Sequence, residues 1–415
     1  MKLVKMSLLA ATLIASSAFA IDNIKASGDA KLYYGTSDND DLTPTRDAGL
    51  FNRNGAYGQA AASLSLSADL TEGISAGTKV TALSTLGLEG QLVNNVWETP
   101  NGLTDTFMVN ELWLAGTAGK TTAKIGRMPL DTPLVFTETW SIVENTFEAA
   151  VLINQDIPDT TLVGAYVGGS NSQAIAGTGG GVGTVIDAEQ GNSTFSQFYD
   201  GAYAAGVVNN SWSPMTAQAW YYGATSVADA WWLQADFAFD FGLLLGIEYT
   251  NLDLKAGLKD TSNDAWAAMI GYEKKDTFKI TGAYSQTGED KDNKTGAGMN
   301  LAGSGQSKLY TSAWWYSQKV AQVDTSAFNI TATTAEELTW AGLGIYYTQA
   351  TAGENGSGAD RKLDMTEVTL EATKSFGPLD TALVYIFTDD EDQNQDGKGN
   401  GQSYNTIQAY LTYNF

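Results

Sequence analysis

The sequence predicts an all-β protein: a transmembrane antiparallel β-barrel of about eighteen strands in one domain. Three observations carry that reading. Segments of seven to fourteen residues alternate apolar and polar along most of the chain, their connections alternate short and long, and the chain runs from an export leader to a strand that ends on an aromatic.

The leader is the clearest local motif. Lys2 and Lys5 form a positive start, residues 8–15 an apolar run too short to span a bilayer, and Ala18-Phe19-Ala20 a small-residue cleavage site. The reading is a secretory signal over 1–20, removed after Ala20, and a barrel domain over 21–415. A chain without cysteine suits an exported compartment and has no disulfide framework.

After the leader, strands are expected near 24–37, 58–70, 73–86, 106–118, 121–127, 146–156, 160–168, 199–209, 215–226, 228–240, 242–253, 263–274, 277–287, 323–334, 336–349, 365–376, 379–389 and 404–415. The fourteenth has a rival at 309–317. Short turns fall at 70–73, 117–120, 156–160, 240–242, 274–277 and 376–380. Long segments lie at 38–57, 87–105, 128–145, 169–198, 288–322, 350–364 and 390–403, while 226–229 is a short connection on the long side. Short turns at one end and long loops at the other are the pattern of a transmembrane barrel.

Strand faces agree. Trp231, Leu233, Ala235, Phe237 and Phe239 oppose Gln234, Asp236 and Asp240, and Phe278, Ile280 and Tyr284 oppose Lys279, Thr281 and Ser285. Val368, Leu370 and Ala372 likewise oppose Glu367, Thr369 and Glu371. A lysine at mid-bilayer on the lipid face costs roughly 2–4 kcal/mol, so consistent placement of charge on one face is informative. In the last strand Ile407, Ala409, Leu411, Tyr413 and Phe415 share the lipid side. No run of about 18 apolar residues follows the leader, which excludes spanning helices and leaves a closed sheet as the way to cross.

Composition narrows the chemistry. The formal charge is −24, and loss of Lys2 and Lys5 with the leader takes it to −26. Nucleic acid is excluded as a partner, since phosphate neutralisation needs clustered Lys and Arg. With no histidine, neither a Ser-His-Asp nucleophile nor a histidine-ligated zinc site can be assembled. Carboxylate chemistry of the glycosidase kind survives, so one rival is a secreted all-β carbohydrate-processing enzyme. A plugged surface adhesin barrel is the other. The stretch 177–183 (GTGGGVG) lacks the Gly-Lys-Ser/Thr ending and following helix of a phosphate loop.

The residues 124–134 (KIGRMPLDTPL) and 145–152 (NTFEAAVL), with the leader and the terminal Phe415, resemble porins of the epsilon-proteobacterial major outer-membrane protein family and, more distantly, OprD-type porins. The resemblance implies an 18-stranded barrel in the bacterial outer membrane, often trimeric in the first family. Its third loop would fold into the lumen, and its activity would be passive diffusion of small hydrophilic solutes and ions, with lipid and lipopolysaccharide around it.

A constriction needs charged groups on an inward loop facing charges on the wall. The candidates are Asp131, Glu138, Glu144 and Glu148, with Lys124 and Arg127 at the loop's entrance; Arg127 shares the parity of Ile125 and would need a bulge or a position above the membrane. Glu111, Asp236, Glu248 and Glu371 are expected on the lumen face, giving a cation-selective field. Only four arginines are present, which argues against a basic ladder. Trp314 and Trp315, in the long 288–322 segment, would pack over a neighbouring subunit or dip toward lipid. In the last loop, Asp392, Asn394 and Asp396 followed by Gly397 match the start of a calcium loop, but its twelfth position is Ser403 instead of Glu. No cofactor is required; calcium is the one candidate.

Overall fold

The computed structural model describes residues 22–39, 49–88, 106–139, 141–171, 195–225, 227–255, 262–290, 296–302, 305–353, 364–390 and 402–415. The leader expected at 1–20 lies outside them. Eighteen strands are present: β1 (Asp22–Ser37), β2 (Ala56–Thr71), β3 (Ile74–Ser84), β4 (Thr106–Ala118), β5 (Thr121–Met128), β6 (Phe147–Asn154), β7 (Thr160–Ser170), β8 (Ser196–Asn209) and β9 (Met215–Ala224) form one half. The other half is β10 (Ala228–Ala238), β11 (Leu243–Leu254), β12 (Ser262–Lys274), β13 (Phe278–Thr287), β14 (Thr325–Thr334), β15 (Gly342–Ala352), β16 (Met365–Phe376), β17 (Leu379–Asp390) and β18 (Gln402–Asn414).

Each strand pairs antiparallel with its neighbours in sequence, and β1 pairs with β18, so the sheet closes with no edge. Closure is what makes the sheet compatible with lipid, where an unpaired N–H or C=O costs several kcal/mol. At one end the connections are two to seven residues long; at the other lie 129–146 and 288–324 among the long ones. The expected alternation is therefore present.

Side chains follow the strand period. Leu112, Leu114, Ile125, Trp231, Leu233, Ile247, Ile270, Ile280 and Leu370 are exposed on the outer wall, while Gln59, Ser63, Glu248, Thr250, Glu367 and Gln408 are buried on the inner one. For a water-soluble protein this distribution would be inverted. It is the arrangement of a wall with hydrocarbon outside and a polar lumen inside.

One expected boundary needs correction, and one choice between rivals is resolved. The fifteenth strand begins at Gly342, not at 336, because Glu336–Thr339 forms a single helical turn, α1, in the preceding connection. Its Glu336 pairs with Lys374 at 2.5 Å and accepts the Ser375 N–H at 3.2 Å, which fastens the turn to the foot of β16. The Lys374 ammonium holds the Glu336 carboxyl below the usual range. The fourteenth strand is Thr325–Thr334, and the rival 309–317 lies in a segment folded inward.

The chain's last residue takes part in closure. Phe415 N–H donates to Gly28 O at 2.9 Å and Gly28 N–H donates to Phe415 O at 2.8 Å. The ring lies so close over Gly28 that a Cβ there would sit 2.5 Å from it and 2.4 Å from Ser63 O. Replacing Gly28 with Val is therefore expected to destabilise the barrel by about 1–3 kcal/mol through overpacking. A lowered midpoint in urea unfolding from lipid vesicles, with Gly28→Ala falling between, is the check.

Candidate functional site

The lumen is not empty. The described residues of 129–146, after β5, and of 296–322, before β14, fold inward and pack against the wall. Leu134, Val135, Leu301, Leu309 and Val320 join Phe147, Trp220, Trp232 and Leu252 of the wall in one apolar cluster. Ile142 and Val143 join Tyr33, Ala61, Leu83 and Met108 in a second. Burying apolar side chains against the inner wall offsets the entropy of holding two long loops inside.

The two inward segments are strapped to each other. Asn300 Nδ2 donates to Phe136 O at 2.8 Å, Phe136 N–H donates back to Asn300 Oδ1 at 3.3 Å, and Leu301 N–H donates to Leu134 O at 2.7 Å. Gln306 bridges Thr139 through both ends of its amide. From the wall, Tyr199 Oη donates to Leu301 O at 2.7 Å. The segments behave as one inserted body.

Carboxylates of the wall hold the second segment. Glu248 accepts Tyr310 N–H at 2.6 Å, Asp236 accepts the Tyr310 hydroxyl at 2.5 Å, and Glu367 accepts Trp315 N–H and Tyr316 N–H at 2.9 and 2.8 Å. Lys319 Nζ donates to both oxygens of Asp390 at 3.1 Å. Burial, followed by the hydrogen bond to Asp236, raises the Tyr310 hydroxyl well above the ordinary phenol value. It stays a donor at any physiological pH.

A cavity of about 490 Å³ lies between the two segments and the wall of β16 to β18. Asp131, Phe136, Lys308, Trp314, Glu371 and Tyr410 are among its lining residues. Lys308 pairs with Asp131 and lies over the Phe136 ring, 4.6 Å from its centroid. Glu371 accepts the Tyr346 hydroxyl at 2.7 Å.

The six residues expected at the constriction separate in space. Asp131 lines the opening. Glu138 is buried behind it, its carboxylate accepting Ser141 N–H at 3.0 Å and its electrostatic reach extending to Tyr410. Glu144 is half-buried and is not among the residues that line the cavity. Lys124 faces the lumen from β5, its ammonium 4.1 Å over Trp113 and near Glu111. Arg127 and Glu148 are corrected: they pair at 3.0 Å on the outer wall at the long-loop end. Phe147 and Ala149 are buried inward on either side of Glu148, as Met128 is beside Arg127, so strict alternation turns both charges out. The guanidinium covers the Phe195 ring at 4.0 Å.

Glu111, Asp236, Glu248 and Glu371 all lie on the inner face as expected, but Asp236 and Glu248 serve as fastenings and only Glu371 lines the opening. Trp314 lines the inner cavity with Trp315 stacked on it, because Glu367 grips the backbone beside them. The expectation against a basic row is overturned by lysines: Lys31, Lys79 and Lys124 stand on the inner face of β1, β3 and β5. Their parity was readable from the sequence. Asp392, Asn394 and Asp396 lie outside the described residues.

The fold defines a class: a closed antiparallel β-barrel of 18 strands with its lumen narrowed by inward segments. Comparison with solved structures agrees on the fold. Pseudomonas aeruginosa OccK3 (OpdO) superposes with a TM-score of 0.68 at 13% identity, over 95% of this chain and 96% of that one. The outer-membrane protein OpdK of the same organism gives 0.73 at 12% identity, over 95% and 99%. Acinetobacter baumannii OccAB4 gives 0.72 at 12%, over 96% and 100%. No protein-family model matches the chain and no curated protein matches it in sequence.

Replacing Asn300 with Ala removes both bonds to Phe136 and is expected to weaken the strap by about 1–3 kcal/mol, the cost of leaving buried partners unpaired. Faster proteolytic nicking of the inserted segments, with unchanged heat-modifiable migration of the barrel, is the expected result.

Proposed function

We propose that this protein is an outer-membrane porin that lets small hydrophilic solutes and ions diffuse passively and makes or breaks no bond. The observation that carries the reading is the cavity, lined in part by Asp131, Lys308 and Glu371, that lies between two inward segments inside a closed barrel with an apolar outer wall. Pore width then filters by size and the lining charges filter by sign. A carbohydrate-processing enzyme is disfavoured by the exposed apolar outer wall. A plugged adhesin is disfavoured by the lined opening.

We further propose a modest cation preference. Around the opening Asp131 is neutralised by Lys308, which leaves Glu371 and the nearby Glu138 as the acidic bias; Lys31, Lys79 and Lys124 on the neighbouring wall act against it. Opposing charge rows in one lumen give a transverse field instead of a uniform one.

Finer parts of the proposal rest on sequence. The resemblance of 124–134 and 145–152 to the epsilon-proteobacterial family supports a homotrimer, which cross-linking in native membranes checks. The leader 1–20 is proposed to be cleaved after Ala20, and calcium to bind weakly at Asp392, Asn394 and Asp396. N-terminal sequencing and terbium luminescence test these two.

Reversal potentials in a planar bilayer under a salt gradient test the selectivity. The protein is expected to favour cations, Glu371→Gln to lower that preference, and Lys31→Met with Lys79→Met to raise it, each shifting the permeability ratio by roughly two-fold. Anion preference in the unmodified protein would refute the acidic bias.

A further inference from the structure

The wall carboxylates that meet the inward 305–322 segment are not equivalent. Glu248 accepts one N–H, from Tyr310, and its Oε2 has no partner among the described residues. Asp236 and Asp390 each hold the tip of a side chain, Tyr310 and Lys319. Glu367 alone, among the described residues, spends both oxygens on consecutive backbone N–H groups, those of Trp315 and Tyr316, and it is 1% exposed. Successive N–H groups turned to one anion fix the orientation of two peptide planes, which no grip on a side-chain tip can do.

The residue directly before that gripped pair is Trp314, which lines the opening and stacks on Trp315 with ring centroids 6.3 Å apart. On β16 the same inward face carries Glu367, Thr369 and Glu371 in succession, and Glu371 lines the opening as well. One strand therefore supplies both the grip on the segment and part of the wall it faces. Thr369 Oγ1 completes the shell by donating to Glu367 Oε1 at 3.3 Å.

We propose that Glu367 is the positioning residue that sets the width of the opening: by holding the 315–316 backbone it stands Trp314 in the channel. The inference rests on the porin reading and goes beyond it by assigning the aperture to a residue that does not itself line it. The third loop alone then does not fix pore size.

The test uses single-channel conductance of the full mature chain in planar bilayers. Glu367→Ala leaves two buried N–H groups without acceptors, so the segment shifts and conductance rises by roughly two-fold. Glu367→Gln keeps one acceptor oxygen and rises less, and it carries the comparison if the alanine variant fails to insert. Trp314→Ala reproduces the rise with the grip intact. A lock separates positioning from general loosening: Ser285 Oγ and Thr311 Oγ1 are 2.6 Å apart across β13 and the segment, and the chain has no cysteine. Ser285→Cys with Thr311→Cys, added to Glu367→Ala, is expected to return conductance to the unmodified level when oxidised and to raise it again on reduction. Unmodified conductance in Glu367→Ala, or a rise that oxidation leaves in place, overturns the assignment of Glu367 while the porin reading stands. Absence of any conductance from the inserted, unmodified barrel overturns both.

Discussion

Closure of the sheet by β1 against β18 is the constraint on which everything else in this molecule depends. In hydrocarbon no water is present to satisfy a free strand edge, so eighteen strands are stable there only as a ring. The Phe415 and Gly28 backbone bonds sit at the end of that seam, and the ring of Phe415 covers a glycine because only a glycine leaves room for it. Once the ring is closed, the strand period assigns each side chain to lipid or to lumen without further choice.

A closed ring of this size would leave a wide hole if nothing entered it. Here two long connections enter from the same end, bury apolar faces against the wall and join each other through Asn300 and Gln306. The wall receives the second connection with carboxylates, of which Glu248 and Glu367 accept backbone N–H groups, a charge-assisted bond roughly twice as strong as its neutral counterpart. Buried acidic groups in the lumen are thus used first for architecture. Charge left over at the opening is small, with Asp131 matched by Lys308, and the lysines of β1, β3 and β5 work against it.

Much of the fold was legible in the sequence because its signals are local. Alternation and connection length located all eighteen strands, and the largest displacement of a start, at Gly342, came from a short helical turn whose Glu336 finds Lys374 some forty residues away. The site was less legible because its pairings are long-range: nothing near Glu367 announces that it meets Trp315, nor does anything near Asn300 point to Phe136. Two misplacements were avoidable. The parity that already set Arg127 beside Ile125 also turns Glu148 out when counted from Phe147, and attention to arginine alone passed over Lys31 and Lys79, which share the inner parity. Glu138 shows a different limit, since a carboxylate on an inward loop is as useful for bonding its own turn as for facing solutes.

The central claim is that an open, narrowed and water-filled path runs through this barrel. Swelling of liposomes that carry the purified protein, in isotonic solutions of neutral sugars of increasing size, tests it most directly. The account predicts fast entry of small polyols and monosaccharides and a steep fall for larger oligosaccharides, because only the opening between the two inward segments admits them. No swelling with any sugar, from vesicles in which the barrel is shown to be inserted, would contradict it.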